Sequence, residues 1–241
     1  MRILITGCST GFGRATAEEL TRRGHEAVAT ARDVASLDDL VVAQRLPLDV
    51  TDQRSIDAAI AQAGPLDGLV NNAGVDRHGP VESYPEDVAQ WVMDTNFWGT
   101  FRMTAAVAPA MRSRGSGVIV NMSSVQGRVG TPLGGVYSAS KAAVESYSES
   151  AHFELGHFGI RLVIVQPGYF DTPLNAALVA DPAFSAWLEK RTPAGRWGKV
   201  EELQGALQEG NSEKVAAKTQ ALDVETDQLP EVLDFILRLR N

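Results

Sequence analysis

The chain has few of the features that mark a disulfide-stabilised, metal-binding or membrane-spanning protein. Only one of its 241 residues is a cysteine, Cys8, so no internal disulfide can form, and we expect this residue to pack as a small side chain in a turn. The four histidines lack the spacing to cysteines or acids that metal sites show, so no metal is expected. No apolar run reaches the roughly 18 residues that a membrane span needs.

Positive charge is also scarce. The chain carries 22 lysines and arginines against 30 acidic residues, a formal net charge of −8, which argues against nucleic acid as a partner. A predicted strand begins almost at Met1, so no signal peptide is expected and the predicted location is the cytoplasm. Length and composition favour a single domain over residues 1–241.

A glycine-rich turn separates the first predicted strand from the first predicted helix. An apolar strand is expected over residues 2–6, a helix over 14–23 and a second strand over 25–30, with glycines at positions 7, 11 and 13 between the first two. Glycines permit a tight turn there and let backbone N–H groups approach a pyrophosphate at the helix N-terminus. The order strand, turn, helix, strand therefore predicts a dinucleotide site.

The residues after the second strand bear on the choice of dinucleotide. An acid there binds the ribose hydroxyl of NAD, whereas an arginine accommodates the 2′-phosphate of NADP. Ala31 leaves the usual acid position without a carboxylate, and Arg32 follows it. We therefore expect NADP(H) to be preferred. The alternative is that Arg32 is a solvated charge and Asp33 is the ribose ligand.

The rest of the chain repeats the alternation of strand and helix. Strands are expected over 66–70, 117–122 and 160–166, with one or two helices over 85–113 and another over 136–158. This alternation predicts an α/β fold, a Rossmann-type doubly wound parallel sheet with helices on both faces. Ligands bind beyond the carboxyl ends of such strands. Four candidate positions fall just past predicted strand ends: Gly7, Asn72, Ser124 and Pro167.

A serine, a tyrosine and a lysine have the spacing of a proton-transfer site. Tyr137 and Lys141 are four residues apart in a predicted helix, so their side chains lie on one helix face. An ammonium beside a phenol favours the phenolate, so we expect the Tyr137 pKa to lie below its usual value of about 10. Ser124 ends a predicted strand and is placed to hydrogen-bond the same substrate oxygen. Such Tyr–Lys pairs also occur on solvated helix faces, so the assignment depends on the accompanying motifs.

In their order and separation these motifs resemble those of the short-chain dehydrogenase/reductase family, in its single-domain form. The resemblance runs from residue 3 to about residue 172 and, within the family, is nearest to the branch of 17β-hydroxysteroid and retinol dehydrogenases. It rests on Thr6-Gly7-x-x-x-Gly11-x-Gly13, Leu48-Asp49-Val50, Asn71-Asn72-Ala73-Gly74, Asn96, the Ser124, Tyr137 and Lys141 set, and Pro167-Gly168-Tyr169-Phe170-Asp171-Thr172.

The resemblance implies a role for each matching residue. Tyr137 would exchange a proton with the substrate oxygen, Lys141 would lower the phenol pKa and hold the nicotinamide ribose, Ser124 would orient that oxygen, and Asn96 would hold a water near Lys141. The cofactor-binding residues would be Thr6, Gly7, Ser9, Thr10, Gly11, Phe12, Gly13, Arg32, Asp49, Val50, Asn72, Ala73, Gly74, Tyr137, Lys141, Pro167, Gly168, Phe170 and Thr172. The substrate-binding residues would be Ser124, Gln126, Tyr137, Tyr169, Leu174 and Trp187, with His78 a further candidate for the pocket edge.

The predicted function is therefore an NADP(H)-dependent oxidoreductase that interconverts a ketone or aldehyde with an alcohol. Apolar and aromatic residues in the expected substrate lobe, residues 173–199, favour an apolar substrate. Two alternatives stay open: a non-redox enzyme on the same fold (an epimerase, a dehydratase or a lyase), and an NADP-sensing regulator. The intact set of serine, tyrosine and lysine argues against both.

Two further expectations concern assembly and the C-terminus. The resemblance implies a homodimer formed by the helix that carries Tyr137 and the helix near Asn96, although small residues on the former can also serve packing within the chain. Residues 200–241 diverge from the family and are expected to form helices over 200–209, 212–224 and 229–240. The glycine-rich acidic strand that ends many tetrameric members is absent, which puts a tetramer in doubt.

Overall fold

Six short strands form a parallel sheet that organises the first two thirds of the chain. They are β1 (Arg2–Ile5), β2 (Glu26–Ala31), β3 (Gln44–Pro47), β4 (Gly68–Asn71), β5 (Gly117–Met122) and β6 (Ile160–Val165). Their order is β3-β2-β1-β4-β5-β6. After β3 at one edge of the sheet, the chain therefore crosses back past β1, and β4 to β6 are added on the other side. The predicted Rossmann-type α/β fold is confirmed.

The computed structural model describes residues 1–168, 170–190 and 196–199. The chain divides into two compact units, Met1–Ile164 and a second unit that begins at Val165. The helices predicted beyond residue 200 lie outside the described residues. The prediction of a single domain stays a prediction.

Five helices accompany the sheet in the first unit: α1 (Gly11–Arg22), α2 (Gln53–Ala63), α3 (Glu86–Met93), α4 (Gly99–Arg114) and α5 (Gly135–Gly156). Leu4 of β1 belongs to an apolar cluster with side chains of α2, α4 and α5, including Ile56, Met103 and Ala151. Ile3 and Ile5 are buried as well, and α1 packs against β1 and β2. Since neighbouring strand residues point to opposite faces, the sheet is buried on both sides.

The single or double helix predicted over 85–113 has an interruption with its own geometry. Between α3 and α4 the residues Asp94–Trp98 form a wider π-helical turn. Turns of this type add a residue to a helix and are frequent at functional sites. Asn96 lies in the middle of this turn and is buried.

A chain of buried amides ties the sheet to the helices that cover it. Asn71 and Asn121 are in register on β4 and β5, and Asn71 Nδ2 donates to Asn121 Oδ1 at 2.8 Å. Asn121 Nδ2 in turn donates to Ser148 Oγ of α5 at 2.8 Å, and Asn71 Nδ2 also lies 3.2 Å from Thr104 Oγ1 of α4. Hydrogen bonds between buried polar side chains favour a single packing arrangement. The site at the end of these strands therefore rests on a fixed base.

The second unit contains a two-stranded parallel sheet and two helices among the residues described. These are β7 (Phe170–Asp171), β8 (Gly198–Lys199), α6 (Ala176–Val179) and α7 (Pro182–Glu189). Within this unit Trp197 Nε1 donates to Ser185 Oγ of α7 at 3.0 Å. None of the helices over the described residues combines the length and apolarity that a membrane crossing requires.

Candidate active site

The loops that follow β1 and β4 are bound together by one threonine and one asparagine. Thr6 Oγ1 accepts hydrogen bonds from the backbone N–H groups of Asn72 and Ala73, both at 2.9 Å. The Asn72 side chain returns the contact, since its Nδ2 donates to the carbonyls of Thr6 at 2.9 Å and Gly7 at 3.1 Å. The predicted cofactor residues of the first and fourth strands are thus brought together.

Close packing at this junction explains two of the three glycines. A Cβ at Gly13 would lie 2.4 Å from both Gly7 O and Asn72 Nδ2, so a larger residue would have to displace the loop. A Cβ at Gly7 would lie 2.9 Å from the Ala73 backbone, and Gly7 has a φ of +73°, which side chains disfavour. The backbone here can approach a ligand closely.

The start of α1 adjoins the glycine-rich loop, where the sequence predicts a pyrophosphate site. The helix begins at Gly11, and the preceding Thr10 makes no side-chain bond to the N–H groups of the first turn. Ser9 and Thr10 are exposed on the loop. The N–H groups at a helix N-terminus favour a phosphate group, so the glycine-rich loop is suited to the pyrophosphate of a dinucleotide. Phe12 lies half-buried in the same turn.

Arg32 and Asp33 have different surroundings just past β2. The Asp33 carboxylate caps the short helical turn Val34–Leu37 and accepts from Ala35 N at 3.1 Å. Arg32 is exposed, and the described residues offer its guanidinium no hydrogen bond or ion pair. A free guanidinium is the group suited to a 2′-phosphate.

The two predicted cofactor residues after β3, Asp49 and Val50, have mixed support in the geometry. Asp49 Oδ1 accepts from the backbone N–H and the hydroxyl of Thr51, at 2.9 and 2.7 Å, which fixes the turn. Val50 is buried, and a Cβ at Gly99 of α4 would lie 2.7 Å from its Cγ2. Val50 therefore serves the packing between this turn and α4.

Asn96 supports the segment that follows β4. Its Oδ1 accepts from Val75 N at 2.8 Å, and its Nδ2 donates to Val75 O at 2.9 Å and to Ser140 Oγ of α5 at 2.9 Å. A Cβ on Gly74 would lie 3.4 Å from Asn96 Oδ1 and 3.6 Å from Lys141 Nζ, so Gly74 separates the two side chains. The water predicted near Lys141 stays a prediction.

Ser124, Tyr137 and Lys141 meet at the carboxyl end of β5. Ser124 begins the short turn Val125–Gly127, and its side chain hydrogen-bonds to that of Tyr137. Lys141 Nζ donates to Met122 O of β5 at 2.8 Å and lies 5.7 Å from the centre of the Tyr137 ring. All three residues are buried, with exposures of 8%, 7% and 5%. They lie on a buried face and not on a solvated one.

The electrostatics of this set correct one expectation from the sequence. The Tyr137 pKa is raised and not lowered, because burial disfavours the phenolate and the charge of Asp76 repels it. The hydrogen bond with Ser124 acts in the opposite direction but does not prevail. Burial lowers the pKa of Lys141 to about 8, against the attraction of Asp76 and Glu145. The ammonium therefore does not overcome the cost of burying the phenolate.

Sequence reasoning missed Asp76, which lies two residues after the Asn-Asn-Ala-Gly motif. Its side chain is only 5% exposed, and its Oδ2 lies 3.5 Å from His78 Nδ1. Burial raises the Asp76 pKa, whereas the charges of His78 and Lys141 lower it. An acid directly after a cofactor motif was the available signal. His78 was a candidate for the pocket edge, and here it contacts this acid.

The remaining predicted residues are placed less directly. Gln126 is buried, and its Oε1 accepts from Thr131 Oγ1 at 2.8 Å and Ser138 Oγ at 3.2 Å, which leaves its amide nitrogen as the end that can face a substrate. The others belong to the second unit. Pro167 and Gly168 follow β6, Phe170 lies in β7 and Trp187 lies in α7. Thr172 is buried and Leu174 is exposed. Tyr169 and the side chain of Trp187 are outside the part of the chain that is described.

The class of protein follows from fold and site together. A doubly wound parallel sheet with a glycine-rich first turn, and with a buried tyrosine, lysine and serine at the same edge, is the arrangement expected of an oxidoreductase that uses a nicotinamide dinucleotide. No cluster of three or more potential metal ligands occurs in the part of the chain that the structure describes. The family model for short chain dehydrogenases matches residues 1–183, and the chain belongs to this family.

Individual relatives place it among enzymes that interconvert ketones and alcohols. The chain is 40% identical over 217 residues to gluconate 5-dehydrogenase of Gluconobacter oxydans (strain 621H), covering 85% of each protein. It is 37% identical over 216 residues to 5-keto-D-gluconate 5-reductase of Escherichia coli (strain K12), again covering 85% of each. These relatives confirm the family without requiring the retinol dehydrogenase branch.

A solved structure extends the comparison to three dimensions. It is the gluconate 5-dehydrogenase from Burkholderia cenocepacia J2315, in complex with NADP and tartrate. The TM-score is 0.80 at 36% identity, with 94% of this chain and 91% of that chain covered. This similarity supports use of an NAD(P)-type cofactor.

The lowered pKa of Lys141 predicts how stability depends on pH. Between the folded value of about 8 and the ordinary value of 10.5, the unfolded chain binds the additional proton. The free energy of unfolding should therefore rise with pH in this window, by up to about 1.4 kcal/mol per pH unit from this residue. Urea unfolding of wild type and Lys141→Met from about pH 8 to about pH 9.5, below the titration of ordinary tyrosine, measures the difference.

Lys199→Met, which removes an exposed lysine, is the control, and its free energy of unfolding should depend on pH as that of the wild type does. If Lys141→Met also follows it, the Lys141 ammonium does not lose its proton on burial.

Proposed function

We propose that this oxidoreductase prefers NADP(H) and protonates or deprotonates its substrate oxygen through Tyr137, assisted by Lys141 and Ser124. The observation that carries the proposal is the burial of these three side chains at the sheet edge that also holds the glycine-rich loop. When bound, the nicotinamide supplies or accepts a hydride at the substrate carbon. The protein has to manage the proton at the oxygen.

Tyr137 carries its proton at neutral pH, because burial raises the pKa of the phenol, and it can donate that proton to a carbonyl oxygen. Ser124, hydrogen-bonded to Tyr137, can donate to the same oxygen and stabilise the charge that develops there. We therefore propose carbonyl reduction as the direction for which the site is prepared.

Lys141 has two roles in this proposal. Its ammonium is held by Met122 O at 2.8 Å, which leaves further N–H donors for the hydroxyls of a nicotinamide ribose. With a pKa of about 8 it can release a proton more easily than an ordinary lysine. Asn96 fixes Val75 beside it, and we propose that a water between these groups returns the proton to Tyr137.

NADP preference is supported by the two residues after β2. Asp33 is engaged in capping a turn, whereas Arg32 is exposed and unpaired among the described residues. The similar structure from Burkholderia cenocepacia contains NADP. We propose that Arg32 binds the 2′-phosphate.

The contacts described so far say less about the class of substrate than about the cofactor. The expectation of an apolar substrate rests on residues 173–199, several of whose side chains are outside those described, and it stays a prediction. Relatives named for gluconate and 5-keto-D-gluconate act on polyhydroxylated molecules. A substrate panel therefore has to contain both kinds of ketone.

We also propose a homodimer through α4 and α5. Large apolar side chains are exposed on these helices and on the turn before α4: Phe153 at 73%, Trp98 at 45% and Phe101 at 40%. Trp98 and Phe101 stack edge to face with ring centres 5.7 Å apart, and Phe101 is as close to Tyr147 of α5. An exposed apolar patch of this kind favours a second copy of the chain as its partner.

Tyr137→Phe should abolish nearly all ketone reduction and leave NADPH affinity close to wild type. Only the hydroxyl that donates the proton is lost, and general acid catalysis contributes about 10²–10⁴-fold. Steady-state turnover and NADPH fluorescence titration measure the two effects. Tyr147→Phe removes a hydroxyl from the same helix outside the site and should retain turnover. A Tyr137→Phe enzyme with more than about half of wild-type turnover, when chemistry limits the rate, excludes the tyrosine as the proton donor.

Arg32→Ala should weaken NADPH binding by roughly ten- to a hundredfold and hardly affect NADH, which lacks the 2′-phosphate. The difference should shrink in high salt, because the contact is exposed and screened. Fluorescence titration of both cofactors measures it, with the exposed Arg54→Ala as the matched control. Tighter NADH binding by the wild type would instead indicate Asp33 as the cofactor determinant.

Phe101→Asp should shift the protein from dimer to monomer, since a buried unpaired carboxylate is costly at an apolar interface. Sedimentation velocity of wild type and variant measures the change. Val41→Asp adds the same charge at an exposed apolar residue of the β2–β3 connection and should remain dimeric. A monomeric wild type overturns the dimer.

A further inference from the structure

The mechanism proposed above leaves one buried charge unexplained. The Asp76 side chain is only 5% exposed. Its Oδ1 has no hydrogen-bond partner among the described residues. Its other oxygen, Oδ2, contacts His78 Nδ1 at 3.5 Å. A buried carboxylate oxygen without a partner destabilises the fold, so its presence calls for a group that binds there.

The segment that carries Asp76 is held by two other residues, one bonded to the residue before it and one to the residue after it. Asn96 binds both backbone groups of Val75, at 2.8 and 2.9 Å. The Tyr84 hydroxyl donates to Arg77 O at 2.9 Å. The backbone on both sides of Asp76 is therefore fixed, which fixes the point from which its side chain extends.

The same segment is connected to the start of the helix that carries Tyr137. Gly79 N donates to Leu133 O at 2.9 Å, and Leu133 is the one non-glycine residue with positive φ, +63°, among those described. A strained residue of this kind persists when the surroundings fix it and often lies near functional sites. Asp76 and Tyr137 therefore flank one region of the site, and the charge of Asp76 acts on both Tyr137 and Lys141.

The charges around Asp76 select the kind of ligand. The Lys141 ammonium already places positive charge near the carboxylate, so a cationic ligand would be repelled by that ammonium. An anionic ligand would be repelled by the carboxylate itself. A neutral hydrogen-bond donor, a hydroxyl group, meets neither penalty.

We propose that Asp76 is a specificity-determining residue that accepts a hydrogen bond from a hydroxyl beside the reacting carbonyl, so the enzyme selects hydroxylated ketones over apolar ones. The inference rests on the proposed function, in which Tyr137 protonates the carbonyl oxygen. It replaces the expectation of an apolar substrate with a polyol-like class.

A matched pair of substrates tests this directly. Hydroxyacetone and 2-butanone differ only in a hydroxyl in place of a methyl group. With NADPH, the wild type should have a higher kcat/KM for hydroxyacetone. Asp76→Leu removes the acceptor at similar size and should lower the ratio of the two kcat/KM values by roughly ten- to a hundredfold. Asp76→Asn keeps an acceptor oxygen and should retain part of the preference.

Glu82→Gln is the control, because it removes one charge from an exposed position only six residues away. Its ratio should equal that of the wild type. Aminoacetone, which carries an ammonium in place of the hydroxyl, should be a poorer substrate than hydroxyacetone for the wild type. Cofactor titration of each variant checks that the site is intact.

The outcomes separate this inference from the function on which it rests. A wild type that reduces both ketones, with the same ratio in Asp76→Leu and Asp76→Asn, overturns the role of Asp76 and leaves the reductase proposal standing. A preference for aminoacetone that Asp76→Leu removes also overturns it, in favour of a cation site. A wild type that reduces no ketone with either cofactor overturns the proposed function, and the inference with it.

Discussion

The hydrogen bonds between Thr6 and Asn72 are the constraint on which the site depends. They join the loop after the first strand to the loop after the fourth. These loops are neighbours because β4 lies beside β1 in the sheet, on the side opposite β2. This junction brings Gly13 so close to Gly7 that no side chain fits between them. The loop proposed to bind the pyrophosphate is thus positioned by the sheet itself, and a site fixed in this way would need little rearrangement when a dinucleotide binds.

Burial controls the chemistry of the proton-transfer set. The same absence of water raises the pKa of Tyr137, lowers that of Lys141 and leaves the Asp76 carboxylate with one unpartnered oxygen. Each group is displaced toward its neutral form, as expected for charges in a low dielectric. A substrate that bound here, as we propose, would meet donors and acceptors that are already oriented, and would replace the solvation that they have lost.

The strands, the glycine-rich turn and the catalytic set could be predicted because each rests on a local pattern. Apolar β-branched runs mark β1 and β5, and fixed spacing marks Tyr137 and Lys141. The edge strand β3, Gln44–Pro47, was not named, since a short polar segment that ends in proline lacks such a pattern. The sequence pattern also could not predict the π-helical turn around Asn96 or the direction in which the Tyr137 pKa shifts. Both depend on residues that only the tertiary fold brings together.

The burial of Cys8 affects how the protein responds to oxidants. Its thiol lies inside the cofactor loop, buried, with Sγ 3.3 Å from Ile5 O, and burial raises its pKa to about 12. Oxidants and alkylating reagents attack the thiolate, which is nearly absent at this pKa. As the chain has no other cysteine, no thiol of its own exposes the enzyme to inactivation under oxidative stress.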